Sequence, residues 1–297
     1  MTSHDPRMTR REMLAASAGS IAFAAVPGRR GMPLSPRTDT ADRPGRLKQS
    51  VSRWTFGGMA LPDLCRAAKA LGIVAIDLLQ PDEWSVVSAA GMVPSLGYPT
   101  PRRDFIATGF NDPANHPMLL EELRTTLPLA ARAGVPSLIA MFGNRKGRSD
   151  PDGMAACIAG LRQIAPEAER HGVTIVVELL NSRVDHADYQ GDHTAFGAAV
   201  IDGVGSPRVK LLYDIYHMQI MEGDVVRTIR DNIGRIGHFH TGGVPGRHEI
   251  DDTQELNYRV VARAIADTGY AGYVAHEFIP SREPLRSLRD AVAICDV

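Results

Sequence analysis

Cysteine is scarce: Cys65, Cys157 and Cys295 stand far apart in a chain of 297 residues. An odd number without CxxC spacing argues against a disulfide framework or a thiolate zinc site, so the three read as buried thiols. A surplus of positive charge is also missing. Lys+Arg number 33 against Asp+Glu 34, a formal net charge of -1. Nucleic-acid binding draws on clustered cations that neutralise phosphates, so the expected partner is a small molecule and not nucleic acid. The uncharged run from Met13 to Val26 is too short to span a bilayer, and stable membrane insertion is not expected. Low-complexity tracts and short-period repeats are absent. So is a clear Gly-rich phosphate turn after the first strand candidate, where "TFGGMALPD" is a faint echo of one.

What is present is ample material for a core, with 44% hydrophobic and 23% charged residues. The stretch "MTRREMLAASAGSIAFAAV" pairs Arg10 with Arg11 ahead of an apolar run and small residues at Ala22, Ala24 and Ala25. It resembles a twin-arginine signal over residues 1–26, which implies the Tat export machinery as a partner and a periplasmic or extracytoplasmic location; an unused signal leaves the chain cytoplasmic. Residues 27–49, rich in Pro, Gly and Arg, read as a flexible linker.

From residue 50 to 297, short apolar runs alternate with helix-period segments, the rhythm of βα units around a parallel sheet. The runs "SVSRWTFG", "IVAIDLL", "MVPSLGY", "VPSLIAMFG", "VTIVVELLN", "VKLLYDIYH", "IGHFHTGG" and "YVAHEFIP" make eight strand candidates. Helices are expected between most of them, one opening near Leu61, one closing at Gly172 and one before Gly269. Eight strands in a segment near 250 residues predict an α/β fold, a single (β/α)8 TIM barrel preceded by the signal segment and linker.

Four of these runs end on a side chain able to bind a metal: Glu178, Asp214, His240 and Glu277. Their intervals are close to the roughly 31 residues per unit implied by about 250 residues over eight units, so strands 5 to 8 each deliver one group to the same rim. Charged groups at the ends of buried strands are costly unless paired or coordinated. Three carboxylates and an imidazole favour one hard or borderline divalent ion, Mn²⁺, Mg²⁺ or Co²⁺.

His217 follows Asp214 by three residues and can return an imidazole to the same mouth. Arg247, in the glycine-flanked "GVPGRHE", can fork onto a carboxylate or ketose oxygens. His248, Glu249 and Glu255 are expected as lid residues or supports of the site. His238 and His276 are assigned to the barrel wall rather than the lumen, on pleat phase. Trp54, Phe56, Trp84 and Phe142 are expected to shape an apolar wall or to pack in the core.

The strings "VVELLNSRVDHADYQGDHTAFG", "GSPRVKLLYDIYHMQIMEGD", "IGHFHTGGVPGRHEIDDTQELNY" and "HEFIP" resemble the hydroxypyruvate isomerase family of the xylose-isomerase-like TIM-barrel superfamily. The resemblance implies a divalent metal on Glu178, Asp214, His240 and Glu277, with the two glutamates as the acid/base pair and His217 and Arg247 contacting substrate. The implied reaction converts hydroxypyruvate to 2-hydroxy-3-oxopropanoate through an enediolate. Some members carry Gln in place of His240, whereas the related sugar epimerases carry His. An exported epimerase or lyase acting on a ketose or 3-keto-sugar is therefore the alternative.

Two other classes are weighed. Endonuclease IV-type barrels hold several zinc ions, and the second to fourth strand runs offer only Asp77 for that purpose. A non-catalytic exported sugar-binding protein is disfavoured because every ligand and Arg247 are present. A homo-oligomer is compatible with all of these readings.

Overall fold

The computed structural model describes residues 45–297. The expected signal segment, and the expected linker up to residue 44, lie outside the described residues. The first strand, β1 (Lys48–Ser52), begins two residues before the expected start, so Lys48 and Gln49 belong to the sheet rather than to a linker. Gly45 and Arg46 are tied to the C-terminus, Gly45 N donating to Asp296 Oδ1 and Arg46 N to the Val297 carbonyl.

Seven further strands follow: β2 (Ala75–Asp77), β3 (Val93–Pro94), β4 (Ser137–Met141), β5 (Thr174–Glu178), β6 (Val209–Asp214), β7 (Ile236–Thr241) and β8 (Tyr273–His276). All pair in parallel, in the order β3-β2-β1-β8-β7-β6-β5-β4. The gap between β3 and β4 is bridged by Gly97, whose N–H donates to Ser137 and whose carbonyl accepts from Ile139. The result is the expected (β/α)8 barrel. Its strands are apolar runs rather than alternating ones because both faces are covered, as β4, buried at all five positions, illustrates.

Among the described residues nine α-helices accompany the strands: α1 (Leu61–Ala70), α2 (Trp84–Ala89), α3 (His116–Ala133), α4 (Asp150–His171), α5 (Thr194–Val204), α6 (Ile215–Met221), α7 (Val225–Asn232), α8 (Tyr258–Asp267) and α9 (Pro284–Cys295). The longest, α4, starts where Ser149 Oγ accepts from Asp152 N and ends at Gly172, whose φ of 70° is left-handed. Two expected strands are shorter than their apolar runs. Trp54–Phe56 forms a 3₁₀ turn after β1, and "YDIYH" turns into α6 immediately after Asp214. Among the described residues no helix is long and apolar enough to cross a membrane.

Candidate metal centre and active site

β5, β6 and β7 carry Glu178, Asp214 and His240 at their C-terminal ends, and Glu277 directly follows β8. Parallel strands in register bring those ends to one rim. All four side chains are buried, and one donor atom from each lies within 4.8 Å of all the others. His240 Nδ1 is 2.7 Å from Glu277 Oε2, 3.2 Å from Glu178 Oε1 and 4.0 Å from Asp214 Oδ2.

Each of the four residues is held by a further contact. Asp214 caps α6, its Oδ1 accepting from Tyr216 N at 2.8 Å and His217 N at 3.2 Å, which leaves Oδ2 for the cluster. Trp54 Nε1 donates to Glu277 Oε1 at 2.6 Å, leaving Oε2 for the cluster. Tyr189, fully buried, accepts from Phe142 N at 2.9 Å and donates to the Glu178 carbonyl at 2.9 Å, tying the ends of β4 and β5 together. His240 Nε2 lies 2.9 Å from Asp77 Oδ2 on β2.

Arg247 takes a left-handed φ of 58° inside a turn closed by Gly243 N to the His248 carbonyl. Its guanidinium donates from Nη2 to Asp214 Oδ2 at 2.7 Å and to Glu277 Oε2, and from Nε to the Glu277 carbonyl at 3.2 Å. It also lies over the rings of Tyr216 and Trp54, at 5.0 and 5.8 Å from their centroids. His217 Nε2 is 2.7 Å from Arg247 Nη1, and His217 Nδ1 is 2.6 Å from Asn181 Nδ2. A neutral imidazole has one acceptor nitrogen, so the ring accepts from one of these donors at a time.

The electrostatics follow from burial and crowding. Burial pushes the Glu178 carboxyl up to about 7, a rise that His240 moderates. For Glu277 burial acts the same way, but Arg247 and His240 overcome it and hold the group at about 2. Burial, then Arg247, drives His217 well below the usual histidine range, so the ring is neutral. Burial also opposes charge on His240, yet Glu277, Asp77 and Glu178 raise its pKa well above that range. Three carboxylates thus recruit an imidazolium and a guanidinium, the demand for positive charge that a divalent cation meets. Oxygen, oxygen, oxygen and nitrogen donors around one point fit such an ion.

The remaining expected residues sit further out. His248 is exposed, with Nδ1 3.0 Å from the Ile279 carbonyl, and Glu255 is exposed and accepts from Gln219 Nε2. Glu249 is buried and accepts from Ser281 N, Ser281 Oγ, Arg282 N and Ser287 Oγ, fastening the loop after β7 to the segment leading into α9. None of these three lines the cavity above the cluster. His276 does face away from the lumen, with Nε2 2.8 Å from Gln49 Oε1. His238 does not: it is two residues from His240, shares its face, and reaches Asp77 Oδ2 at 3.2 Å inside the barrel.

A cavity of about 460 Å³ opens beside the cluster, lined by Glu178, His217, Arg247 and Glu277 and walled by Trp54, Tyr98 and Phe105, among others. Of the aromatics expected at a wall, Trp54 lines it. Phe56, Trp84 and Phe142 are core, Phe56 meeting Phe278 edge to face and Phe142 meeting Phe196 likewise. Asp77 and Tyr189 carry no periodic signal of their own, and their roles become visible only in three dimensions.

Residues 65–295 match the family model of the xylose isomerase-like TIM barrel. A putative hydroxypyruvate isomerase of Homo sapiens is 27% identical over 262 residues, covering 82% of this chain and 93% of the human protein. Among solved structures, an AP endonuclease, family 2, from Brucella melitensis superposes with a TM-score of 0.72 at 24% identity, covering 82% of this chain and 97% of that one. A 3-keto-D-glucoside 4-epimerase from E. coli does so with a TM-score of 0.68 at 20% identity, covering 83% and 98%. At these identities the two structures bear on the fold alone.

Proposed function

Since the chain belongs to the xylose isomerase-like TIM barrel family, we propose that it is an isomerase acting on an α-hydroxycarbonyl substrate with a divalent metal held by Glu178, Asp214, His240 and Glu277. The observation that carries this is the convergence of two glutamates, an aspartate and a histidine on one buried point beside a cavity. The human relative's name suggests hydroxypyruvate as the first substrate to test.

The ion supplies Lewis-acid stabilisation of the negative charge that develops on the substrate oxygens. The protein's own groups do the rest. Arg247 and neutral His217 bind substrate oxygens, Arg247 exchanging part of its contact with Asp214 and Glu277 for the ligand. One of the paired glutamates takes the proton from the carbon bearing the hydroxyl, leaving an enediolate. The other carboxyl delivers a proton to the neighbouring carbon while the hydroxyl proton passes to the former carbonyl oxygen, giving 2-hydroxy-3-oxopropanoate. Burial raises the pKa of Glu178, whereas Arg247 and His240 lower that of Glu277, so the two carboxyls differ in proton affinity, as an acid and a base require.

A second reading is favoured by the cavity. A volume of about 460 Å³ with aromatic walls exceeds what a three-carbon acid fills, and the exposed Arg103 at its lining adds a cation. Return of the proton to the opposite face of the same carbon would make the enzyme an epimerase of a larger ketose or 3-keto-sugar. Export by the twin-arginine route is part of the proposal, supported by Arg10 and Arg11 ahead of the apolar run.

NMR in D₂O of the metal-loaded protein with hydroxypyruvate, and separately with ketoses and 3-keto-sugars, tests both readings. Deuterium entering hydroxypyruvate as the aldehyde isomer accumulates supports the first. Exchange only in a larger sugar selects the second, and a metal-loaded protein without exchange in any of them counts against both.

A further inference from the structure

We propose that Asp77 is a positioning residue of the metal centre: its carboxylate takes the Nε2–H of His240 and so presents Nδ1 to the ion. This rests on the reading that Glu178, Asp214, His240 and Glu277 hold a metal. The two ring nitrogens of His240 face opposite groups. Nδ1 faces Glu277, Glu178 and Asp214, whereas Nε2 lies 2.9 Å from Asp77 Oδ2. A metal-bound imidazole keeps a single proton, on the nitrogen that the ion does not use, and the group accepting that proton fixes both tautomer and ring plane.

Asp77 is built for this task. It is fully buried at the end of β2, where a carboxylate is tolerated only with hydrogen-bond donors around it. Those donors converge from two strand regions: His240 and His238 on β7 to Oδ2, and Ser95, just after β3, to Oδ1 at 2.8 Å. Ser95 is itself 2.8 Å from Ser50 Oγ on β1, so the carboxylate cannot swing. His238 holds Asp77 rather than the ion.

Asp77, His238 and His240 also satisfy the spacing of a metal site in their own right. A second ion there, with the first in place, would require His240 to offer both nitrogens as lone-pair donors and thus lose its last ring proton. A supporting carboxylate needs no such step.

Zinc titration by calorimetry tests the proposal, with ¹⁵N-histidine NMR of the zinc-loaded native protein beside it. Asp77→Ala should weaken zinc about 10–100-fold, within the range for outer-shell partners, and Asp77→Asn should weaken it less. The NMR should show His240 with zinc on Nδ1 and the proton on Nε2. A folded Asp77→Ala protein that binds zinc within about twofold of native, or zinc on Nε2, overturns the proposal while leaving the metal reading intact. If Asp77→Ala does not fold, the NMR of the native protein decides. Failure of the native protein to bind zinc, Mn²⁺ or Co²⁺ overturns the metal reading, and this inference with it.

Discussion

Trp54, just beyond β1, and Glu277, just beyond β8, meet at 2.6 Å, the indole Nε1–H donating to Oε1 of the carboxylate. The contact spends one oxygen of Glu277 on the protein and leaves the other facing His240 and Arg247. Trp54→Phe keeps a ring beneath the guanidinium and removes only the donor. A hydrogen bond to a charged group contributes about 1.5–3 kcal/mol to stability, so the thermal midpoint should fall by several degrees, and kcat at saturating metal should fall as Glu277 loses its fixed orientation.

Replacing Glu178 or Glu277 by Gln leaves a side chain of the same shape that cannot carry the proton. Each variant should lose about 10²–10⁴-fold in kcat and should bind metal more weakly. Solvent deuterium exchange into substrate, measured at saturating metal, separates the two effects. Retention of native exchange in either variant would remove that residue from the acid/base pair. Chelation of the native protein should abolish exchange, and restored metal should return it.

Tyr189→Phe removes one hydroxyl and strands two backbone groups, the N–H of Phe142 and the carbonyl of Glu178. Leaving buried polar groups unsatisfied costs about 1–3 kcal/mol each. Chemical denaturation should show a loss of at least that size. Because the Glu178 backbone is one of the two stranded groups, activity should fall further than a comparable core lesson of stability alone would predict.

Glu249 gives a pH-dependent test. Burial raises its pKa, but Ser281, its own backbone and Ser287 more than compensate, bringing the group to about 2 from an ordinary 4.5. A depressed carboxylate stabilises the fold at pH values above its unfolded value, and that stabilisation is lost as pH falls through the folded value. The thermal midpoint of Glu249→Gln should therefore lie below native at neutral pH, with the gap closing between pH 4.5 and about 2. Since Glu249 anchors the loop that carries Arg247, KM should rise at neutral pH as well.

The barrel and the convergence of Glu178, Asp214, His240 and Glu277 were legible in the sequence because strand ends repeat at the length of a βα unit and buried carboxylates stand out against apolar runs. The same reasoning failed where its geometry was misapplied. His238 and His240 are two residues apart and so share a face, which places His238 in the lumen with Asp77. Asp77 was readable as a polar group at the end of "IVAIDLL", yet its partners lie on β7 and beside β3, far away in sequence. Tyr189 sits in an irregular connection between β5 and α5, where no period marks a buried residue. The strand candidate spanning Trp54 is shorter in fact, because Arg53 to Gly57 turn helical and thereby aim the indole at Glu277.

Gly97 carries a consequence for how the barrel breathes. Five residue pairs join β4 to β5, two join β2 to β3, and the seam between β3 and β4 is held through Gly97. Local opening follows the line of fewest backbone bonds, so amide exchange should be fastest along this seam. The segment from Tyr98 to Ile106, which supplies much of the cavity lining, hangs from it. Substrate admission can then act on the loosely stitched side, while Glu178, Asp214, His240 and Glu277 stay on the tightly laced one.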